Sequence, residues 1–337
     1  MNTYIKTITL MLVIQTNNLF ASQQPTTLFL HGIIDTKKQL HRYEDFIQHP
    51  KKSFDFPDAQ KPLDWDLNNL IFKVCSSFGK HVNRTKMFMG QGEDIETLKN
   101  EIKPDESYIL FGFSRGGAAA INYLAQYNPK NIQALILNAS PADMLETVNT
   151  MQHNFGYKFA PTRADQEYIF ATMFPAYPMN STPPVDAIAH IKNKDLPIFI
   201  VHAQTDSVVH ISASWQLYKA FLQAKFTDVY LCQLKSGEHK AYPNSPDKET
   251  FLHALHSFYK KYGFDYNPKY ATLSDEQLHE LQPTEEEITA KLDQYARQLV
   301  AAYEKQNSLN NSIVAATAGI SLAVLATAFI RSQKSIS

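Results

Sequence analysis

Ser114 lies at the centre of a Gly-x-Ser-x-Gly pattern that covers residues 112–116. The apolar residues at 108–111 predict a strand buried on both faces, and the alanines and spaced apolar residues after the pattern predict a helix. A strand, this pattern and a helix together indicate a nucleophile elbow, a sharp turn that presents a serine hydroxyl at the carboxyl edge of a sheet. Gly112 and Gly116 fit such a turn because larger side chains at their positions would collide there.

Asp206 and His239 each follow a predicted strand later in the chain. The carboxyl ends of parallel strands meet at one edge of a sheet, so we expect both side chains to lie near Ser114. A serine hydroxyl is a poor nucleophile near neutral pH unless a base accepts its proton. His239 is the candidate base, and Asp206 is the candidate acid that holds the imidazole in the correct tautomer. The sequence therefore predicts a Ser-His-Asp triad.

Two backbone N–H groups are expected to stabilise the oxyanion that such chemistry creates. Arg115 begins the predicted helix, where free N–H groups and positive potential favour an anion. The second donor is expected at Ile33 or a neighbour, in the loop after the predicted strand 26–30. Gly32 would let this loop approach the serine closely. His31 is interpreted as an anchor that holds the loop by hydrogen bonds.

Other polar residues compete for these roles. Asp143 follows the strand predicted at 133–138 and is the second candidate for the acid. Glu238 is interpreted as a residue that tunes its neighbour His239. Four histidines are rivals for the base. His202 lies within a predicted strand and is interpreted as structural, and His210 is expected to enter the next helix. The other two are His253 and His256.

Apolar stretches of strand length alternate along the chain with amphipathic helical patterns. This rhythm predicts an α/β fold with a mostly parallel, doubly wound sheet. Strands are predicted at 26–30, 52–57, 108–111, 133–138, 196–202 and 228–234. Helices are predicted at 40–48, 66–78, 93–102, 251–262 and 285–305.

Residues 139–195 break this rhythm. They are rich in aromatic residues and methionines, and prolines divide them into short pieces. An insertion at this point would lie over the strand ends and therefore over Ser114. We interpret the segment as a helical cap whose apolar side chains shape an acyl-sized pocket, with a small satellite core as the alternative.

The charge balance gives no electrostatic basis for nucleic-acid binding. The chain has 32 basic and 33 acidic residues and a net charge of −1, whereas such proteins usually carry a basic stripe. Cys75 and Cys232 have no metal-site spacing, allow at most one disulfide, and are interpreted as buried apolar residues. We predict no metal and no cofactor. The expected partners are a small-molecule or lipid-like acyl substrate and, through the C-terminal helix, a membrane.

The first 22 residues contain a short apolar stretch followed by polar and small residues, an order typical of a secretory signal peptide. A buried N-terminal strand is the alternative. The α/β domain that carries the predicted triad is expected at 23–270, and a polar, amphipathic helical stalk at 271–311. A signal peptide at this end, together with a membrane anchor at the C-terminus, would place this domain outside the cytoplasm, in the periplasm or extracellular space.

The C-terminal segment 313–330 contains no charged residue. As a helix it would span about 27 Å, close to the thickness of a bilayer core. It predicts a membrane helix at 312–331, with a buried core helix as the alternative. Arg331 and Lys334 lie at its end and in the short tail 332–337, and their charge predicts that the tail is cytoplasmic.

Over roughly residues 26 to 262 the chain resembles the α/β-hydrolase superfamily. The resemblance implies a mostly parallel sheet flanked by helices, a catalytic triad and no metal, but it does not fix the substrate. A lipase-type His-Gly-Gly-Gly run is absent, which argues against that esterase branch. The residues that carry the resemblance are Leu30-His31-Gly32-Ile33, Gly112-Phe113-Ser114-Arg115-Gly116-Gly117, Asp206-Ser207-Val208-Val209 and Gly237-Glu238-His239.

These features together predict a serine hydrolase that cleaves a carboxylic ester, a thioester or an amide through an acyl-enzyme. The apolar cap favours esters with apolar acyl groups. A serine peptidase of the same fold is one alternative. A non-catalytic, membrane-anchored binding or scaffold protein is another, although such a protein has no need for an intact Ser, His and Asp.

Overall fold

Six parallel strands form one sheet in the part of the chain that the computed structural model describes. That part comprises residues 24–33, 35–60, 86–147, 167–168, 170–171, 174–239 and 242–301, without the side chains of 59 and 60. The strand order is β2-β1-β3-β4-β5-β6. The strands are β1 (Thr26–Leu30), β2 (Lys51–Ser53), β3 (Tyr108–Phe113), β4 (Ile132–Asn138), β5 (Ile198–Ala203) and β6 (Val229–Leu234). The predicted α/β fold with a parallel, doubly wound sheet is confirmed.

Helices connect and cover these strands. The α-helices are α1 (Pro57–Gln60), α2 (Glu93–Glu101), α3 (Arg115–Tyr127), α4 (Pro184–Ala187), α5 (Ser212–Gln223), α6 (Lys248–Lys261) and α7 (Asp275–His279). Short 3₁₀ helices cover Lys37–Phe46, Ile188–His190 and Tyr242–Asn244. Residues 285–301 are also helical.

The strand order reverses its direction between β1 and β3. From β1 the chain adds β2 on one side, then returns to the other side for β3 and continues outward to β6. Ligands of doubly wound sheets bind at the carboxyl ends of the strands at such a reversal. All six residues of β3 are buried, whereas β2 exposes Lys51 and Lys52 at the sheet edge, where charged residues discourage pairing with other chains.

Two predicted elements differ from the structure. The first helix, predicted at 40–48, is a 3₁₀ helix over Lys37–Phe46 that is kinked at Tyr43. The strand predicted at 52–57 ends at Ser53, because the chain turns away from β1 and the N–H of Phe56 donates to Nε2 of His31 at 3.1 Å. An N–H group that bonds to a side chain cannot also extend the ladder of a sheet.

Several predicted features lie outside the described residues. They are the signal peptide 1–22, the helix 66–78, part of the cap 139–195, the membrane helix 312–331, the tail 332–337 and Cys75. The other cysteine, Cys232, is a buried free thiol in β6, and burial raises its pKa to about 12.

The chain divides into two compact units, Met1–Glu285 and Glu286–Ser337. In the first unit, Leu278 is buried, the N–H of Leu231 donates to the carbonyl of Leu281 at 2.6 Å, and the hydroxyl of Tyr218 donates to the carbonyl of Pro283 at 2.8 Å. These contacts cover the free edge of β6 with residues that the sequence assigns to the stalk. In the second unit, residues 286–301 are helical. Within the described residues, no helix combines the length and apolar content needed to cross a bilayer.

Helix α3 lies unusually close to the sheet. A methyl group added at Gly116 would come within 2.1 Å of the carbonyl oxygen of Leu30, and one at Gly112 within 2.4 Å of Cα of Gly117. Such distances are well inside van der Waals contact, so only glycine fits at these positions. The start of α3 is thereby held against the carboxyl ends of β1 and β3.

A buried ion cluster fixes the other side of this helix start. The guanidinium of Arg115 is fully buried and donates to Asp94 through Nε at 2.7 Å and Nη2 at 2.5 Å, and to Asp58 through Nη1 at 2.7 Å. Oδ2 of Asp94 also accepts the N–H of Gly90 at 2.6 Å. Burial opposes the charge of Arg115, but the two aspartates outweigh it and raise the pKa of Arg115 above its ordinary value. The cluster joins α1, α2 and α3.

Among the buried histidines that the structure describes, two have strongly lowered pKa values. His49 contacts Thr27 at 3.2 Å and packs its ring edge-on against Tyr259. His202 lies in β5, where its two nitrogens contact Oγ of Ser214 at 2.6 Å and the carbonyl of Val209 at 2.7 Å. Burial lowers the pKa of both rings to about 4.

Asp94→Asn is expected to lower the free energy of unfolding by about 3 kcal/mol, because it leaves the buried guanidinium of Arg115 with one carboxylate instead of two. Glu93→Gln is the matched control. Glu93 lies in the same helical turn, is exposed and contacts Lys86 at 3.5 Å, so its replacement should change stability by less than about 0.5 kcal/mol. Urea unfolding of both variants tests the difference, and equal losses would contradict a stabilising role for the cluster.

Stability is expected to fall as the pH falls from 6.5 toward about 4. The upper limit is the ordinary pKa of histidine, and the lower limit is the pKa of His49 in the folded protein. In this window the unfolded chain binds a proton that the folded chain excludes, so stability is complete above pH 6.5 and lost below it. His49→Phe should reduce the slope by about 1.4 kcal/mol per pH unit. Urea unfolding across this range measures the slope. His279→Phe, at an exposed position, should leave it unchanged, and an unaltered slope in His49→Phe would refute the assignment.

Candidate active site

Ser114 occupies the turn between β3 and α3. Its backbone has φ 52° and ψ −122°, a region that side chains rarely occupy and that costs on the order of 1–3 kcal/mol. The surroundings hold this conformation, since the N–H of Ser114 donates to the carbonyl of Asn138 at 2.8 Å and its carbonyl accepts the N–H of Gly117 at 2.9 Å. The strained turn directs the hydroxyl away from the helix and toward His239.

The structure brings together the three residues of the predicted triad. Nε2 of His239 lies 2.9 Å from Oγ of Ser114, and Nδ1 lies 2.8 Å from Oδ2 of Asp206. Asp206 accepts only, so Nδ1 carries the proton and Nε2 presents its lone pair to the serine hydroxyl. The ring of His239 packs on Phe113 with 5.0 Å between centroids. The imidazole is therefore held in the orientation that a base for Ser114 requires.

Asp206 is a buried carboxylate with a complete set of donors. Oδ1 accepts the N–H groups of Val208 at 2.9 Å and Val209 at 3.0 Å. Oδ2 accepts Nδ1–H of His239 and the hydroxyl of Tyr242 at 2.7 Å. Burial works to raise the pKa of Asp206, but the charge and hydrogen bond of His239 outweigh burial, with smaller contributions from the other neighbours, and the net shift is downward. The carboxylate is consequently ionised at neutral pH.

The residues expected around the oxyanion lie beside the serine. Arg115 is the first residue of α3, so its backbone N–H has no partner within the helix. The loop after β1 approaches from the other side, because a methyl group added at Gly32 would lie 3.4 Å from Cβ of Ser114. Ile33 follows Gly32 in this loop and is partly buried. The side chain of the buried Gln39 secures the loop by accepting the N–H of Gly32 at 3.1 Å.

His31 anchors the same loop, as its interpretation from the sequence requires. Its Nδ1 lies 2.8 Å from the carbonyl of Gly32, and its Nε2 accepts the N–H of Phe56. Burial, followed by the charge of Arg115, lowers the pKa of His31. The ring is thus a neutral link between two loops and does not face the serine relay.

The rival residues have other partners. Asp143 accepts the N–H of Leu145 at 2.7 Å and so caps the helix that begins at residue 144. His210 bonds to Ser212 at the start of α5. His202 is a buried ring with partners around the acid loop. His253 bonds to residues 270 and 272, and His256 bonds to residues 45 and 267. Glu238 is exposed.

An apolar cluster lies next to the oxyanion loop. Partly buried Ile33 packs against it, which connects the cluster to the site. Its buried members are Met87, Met89, Met144, Leu145, Phe170 and Phe174, with Tyr177 and Met179 at its margin. Six of these eight residues, 144, 145, 170, 174, 177 and 179, belong to the segment interpreted from the sequence as a cap.

Sequence reasoning missed three parts of this site. Gln39 and Tyr242 contact it from segments with no recognisable motif. The side chain of Arg115 was missed as well, although a guanidinium inside a predicted core turn requires acidic partners. Asp94, in the first turn of the correctly predicted helix α2, was a visible candidate for such a partner.

Comparison with known proteins gives one match to a sequence family. The sequence model of the alpha/beta hydrolase fold family matches residues 76–184. No curated protein sequence matches the chain.

Several solved structures are similar to this chain in fold. An esterase from Pyrococcus furiosus has a TM-score of 0.47 and 15% identity, covering 71% of this chain and 83% of its own. An acylaminoacyl peptidase from Pyrococcus horikoshii has a TM-score of 0.48 and 13% identity, covering 77% of this chain and 40% of its own. An esterase from Exiguobacterium antarcticum has a TM-score of 0.44 and 13% identity, covering 70% of this chain and 92% of its own.

The parallel sheet with its reversal beside Ser114, the strained serine turn and the family match lead to one assignment. The chain has a sheet and a serine turn of the α/β-hydrolase type, and its residues 76–184 match the family model of that fold.

Proposed function

We propose that the protein is a serine hydrolase that cleaves a carboxylic ester, a thioester or an amide through an acyl-enzyme. The observation that carries this proposal is the continuous relay from Oγ of Ser114 through the ring of His239 to Asp206, with distances of 2.9 Å and 2.8 Å. A buried, ionised acid, an oriented imidazole and a serine on a strained turn are the arrangement that activates a hydroxyl.

The reaction follows from these contacts. Nε2 of His239 accepts the proton of Ser114 while Oγ attacks the carbonyl carbon of the substrate, and the charge of Asp206 stabilises the imidazolium. The N–H groups of Arg115 and of Ile33 or its neighbour bind the oxyanion. His239 then gives the proton to the leaving group, which departs and leaves the acyl group on Ser114. Water, activated by the same histidine, releases the acid.

The apolar cluster beside Ile33 supports a substrate with an apolar acyl group. Its described members are Met, Leu, Phe, Ile and Tyr side chains. Unbranched methionine side chains adapt to chains of different length. A peptidase that grips a peptide terminus would instead need charged or amide groups at this wall. An ester with a linear acyl chain is therefore the preferred substrate.

Labelling with a fluorophosphonate probe tests the nucleophile. Full-length wild-type protein should be labelled, and Ser114→Ala should not be labelled at all because the attacked atom is missing. His239→Ala should react at least about 1,000-fold more slowly, since no base accepts the proton. Circular dichroism establishes that each variant is folded.

His210→Ala is the matched control, because it removes a neighbouring histidine that bonds to Ser212 and lies outside the relay. It should retain labelling and turnover. Ester hydrolysis that persists in Ser114→Ala would refute the proposal. Folded wild-type protein that neither reacts with the probe nor hydrolyses esters would favour the scaffold alternative. Turnover of a series of p-nitrophenyl esters and matched anilides then measures which acyl length is preferred and whether esters are cleaved faster than amides.

We also propose that residues 313–330 anchor the protein in a membrane with the hydrolase domain outside the cytoplasm. The uncharged apolar sequence and the following Arg331 support this topology. After alkaline carbonate extraction, the full-length chain should remain with the membranes, whereas a chain ended at residue 311 should be released. Release of the full-length chain would contradict the anchor.

A further inference from the structure

Tyr242 contacts the acid of the triad from a segment that no motif marks. Its hydroxyl lies 2.7 Å from Oδ2 of Asp206 and accepts the N–H of Ala203, the last residue of β5, at 2.9 Å. The tyrosine is fully buried. Oδ2 is the same oxygen that accepts Nδ1–H of His239, so the phenol and the imidazole share one acceptor atom.

The direction of this hydrogen bond is fixed by its partners. Burial, followed by the neighbouring charge of Asp206, raises the pKa of Tyr242 well above its ordinary value. The phenol therefore keeps its proton. Since its oxygen accepts the N–H of Ala203, its O–H is free to donate to the carboxylate. A hydrogen bond to a charged acceptor is stronger than one between neutral groups.

We propose that Tyr242 is a positioning residue that limits how strongly Asp206 stabilises the charged form of His239. This inference rests on the proposed hydrolase function. The phenol draws negative charge toward itself at the oxygen that His239 uses, so the pair between carboxylate and imidazolium is weaker than it would be alone. Less of the carboxylate charge then acts on the imidazolium that forms when His239 accepts a proton. The same hydrogen bond fixes the plane of the carboxylate.

No other single side chain in the described site can be exchanged to test this effect. The remaining donors to Asp206 are the backbone N–H groups of Val208 and Val209 and the base itself. Tyr242 is also closely packed. Its ring lies 6.4 Å from the ring of His202, and a methyl group added at Gly237 would come within 3.3 Å of it.

The other titratable groups that face Asp206 and Tyr242 do not duplicate this role. Nε2 of His202 lies 3.7 Å from Oδ2 of Asp206, but burial lowers the pKa of this ring to about 4, so it is neutral at neutral pH. His210, with a pKa lowered by burial, and Tyr43, with a pKa raised by burial, interact with the charge of Asp206 more weakly. The hydroxyl of Tyr43 accepts Nδ2–H of Asn138 at 3.1 Å.

The pH dependence of kcat/KM for an ester substrate tests the proposal in the full-length enzyme. Tyr242→Phe should move the acid limb upward by about half a pH unit and lower kcat about 10-fold with little change in KM, because a charged hydrogen bond is lost at the acid and not at the substrate. Tyr43→Phe is the matched control, since it removes another buried, hydrogen-bonded hydroxyl without touching Asp206. Its acid limb should coincide with that of wild type.

A second variant keeps the fold intact if Tyr242→Phe is unstable. Replacement of Tyr242 alone by 3-fluorotyrosine, through an expanded genetic code, retains the ring and the acceptor for Ala203 but makes the phenol a stronger donor. Its acid limb should move to lower pH, opposite to the shift in Tyr242→Phe. A purely structural tyrosine would produce no such opposed shifts.

The outcomes separate the two levels of inference. An acid limb that stays at the wild-type pH in both Tyr242 variants overturns the role of Tyr242 and leaves the hydrolase proposal standing. Ester hydrolysis that is unchanged in Ser114→Ala overturns the hydrolase proposal itself. Opposed shifts in the two Tyr242 variants, with the wild-type limb in Tyr43→Phe, support the inference.

Discussion

The close approach of helix α3 to the sheet is the constraint on which the rest of the site depends. With glycine at 116, the backbone can lie against the carbonyl of Leu30, and with glycine at 112 and 117, strand and helix meet without an intervening side chain. This contact compresses the turn at Ser114 into a backbone region that a serine would otherwise avoid. It also sets the first N–H of the helix beside the loop after β1, so one packing contact positions both the candidate nucleophile and the candidate oxyanion donors.

Buried polar groups hold this compressed junction together on all sides. Arg115 is tied to two aspartates behind the turn, His31 links the loop after β1 to residue 56, and Asp206 is satisfied by four donors in front. Each group would be costly if its partners were missing, because desolvation of an unpaired charge exceeds what packing returns. The cost specifies the arrangement, since displacement of one loop would leave a charge without its partner.

The sequence was sufficient to predict the sheet and the three polar residues that meet at its edge. Ser114, Asp206 and His239 could be found because each follows a buried strand, and the geometry of a parallel sheet brings such ends together. Tyr242 and Gln39 could not be found, because their contacts join segments whose approach depends on loop conformation and not on periodicity. The strand predicted at 52–57 was too long for the same reason. Its alternating pattern places the N–H of Phe56 in the sheet, but this N–H bonds to the ring of His31 instead.

The donors around Asp206 differ in what they can contribute to chemistry. Backbone N–H groups at Oδ1 fix the loop, but they lie on the oxygen that does not contact the imidazole. At Oδ2 the imidazole and the phenol of Tyr242 compete for the same negative charge. If the imidazolium were the only donor at Oδ2, the carboxylate would hold it more tightly. The imidazolium would then release its proton less readily to a leaving group. In the proposed reaction, the second donor at Oδ2 therefore balances two requirements on His239, which takes a proton from Ser114 and then gives it to the leaving group.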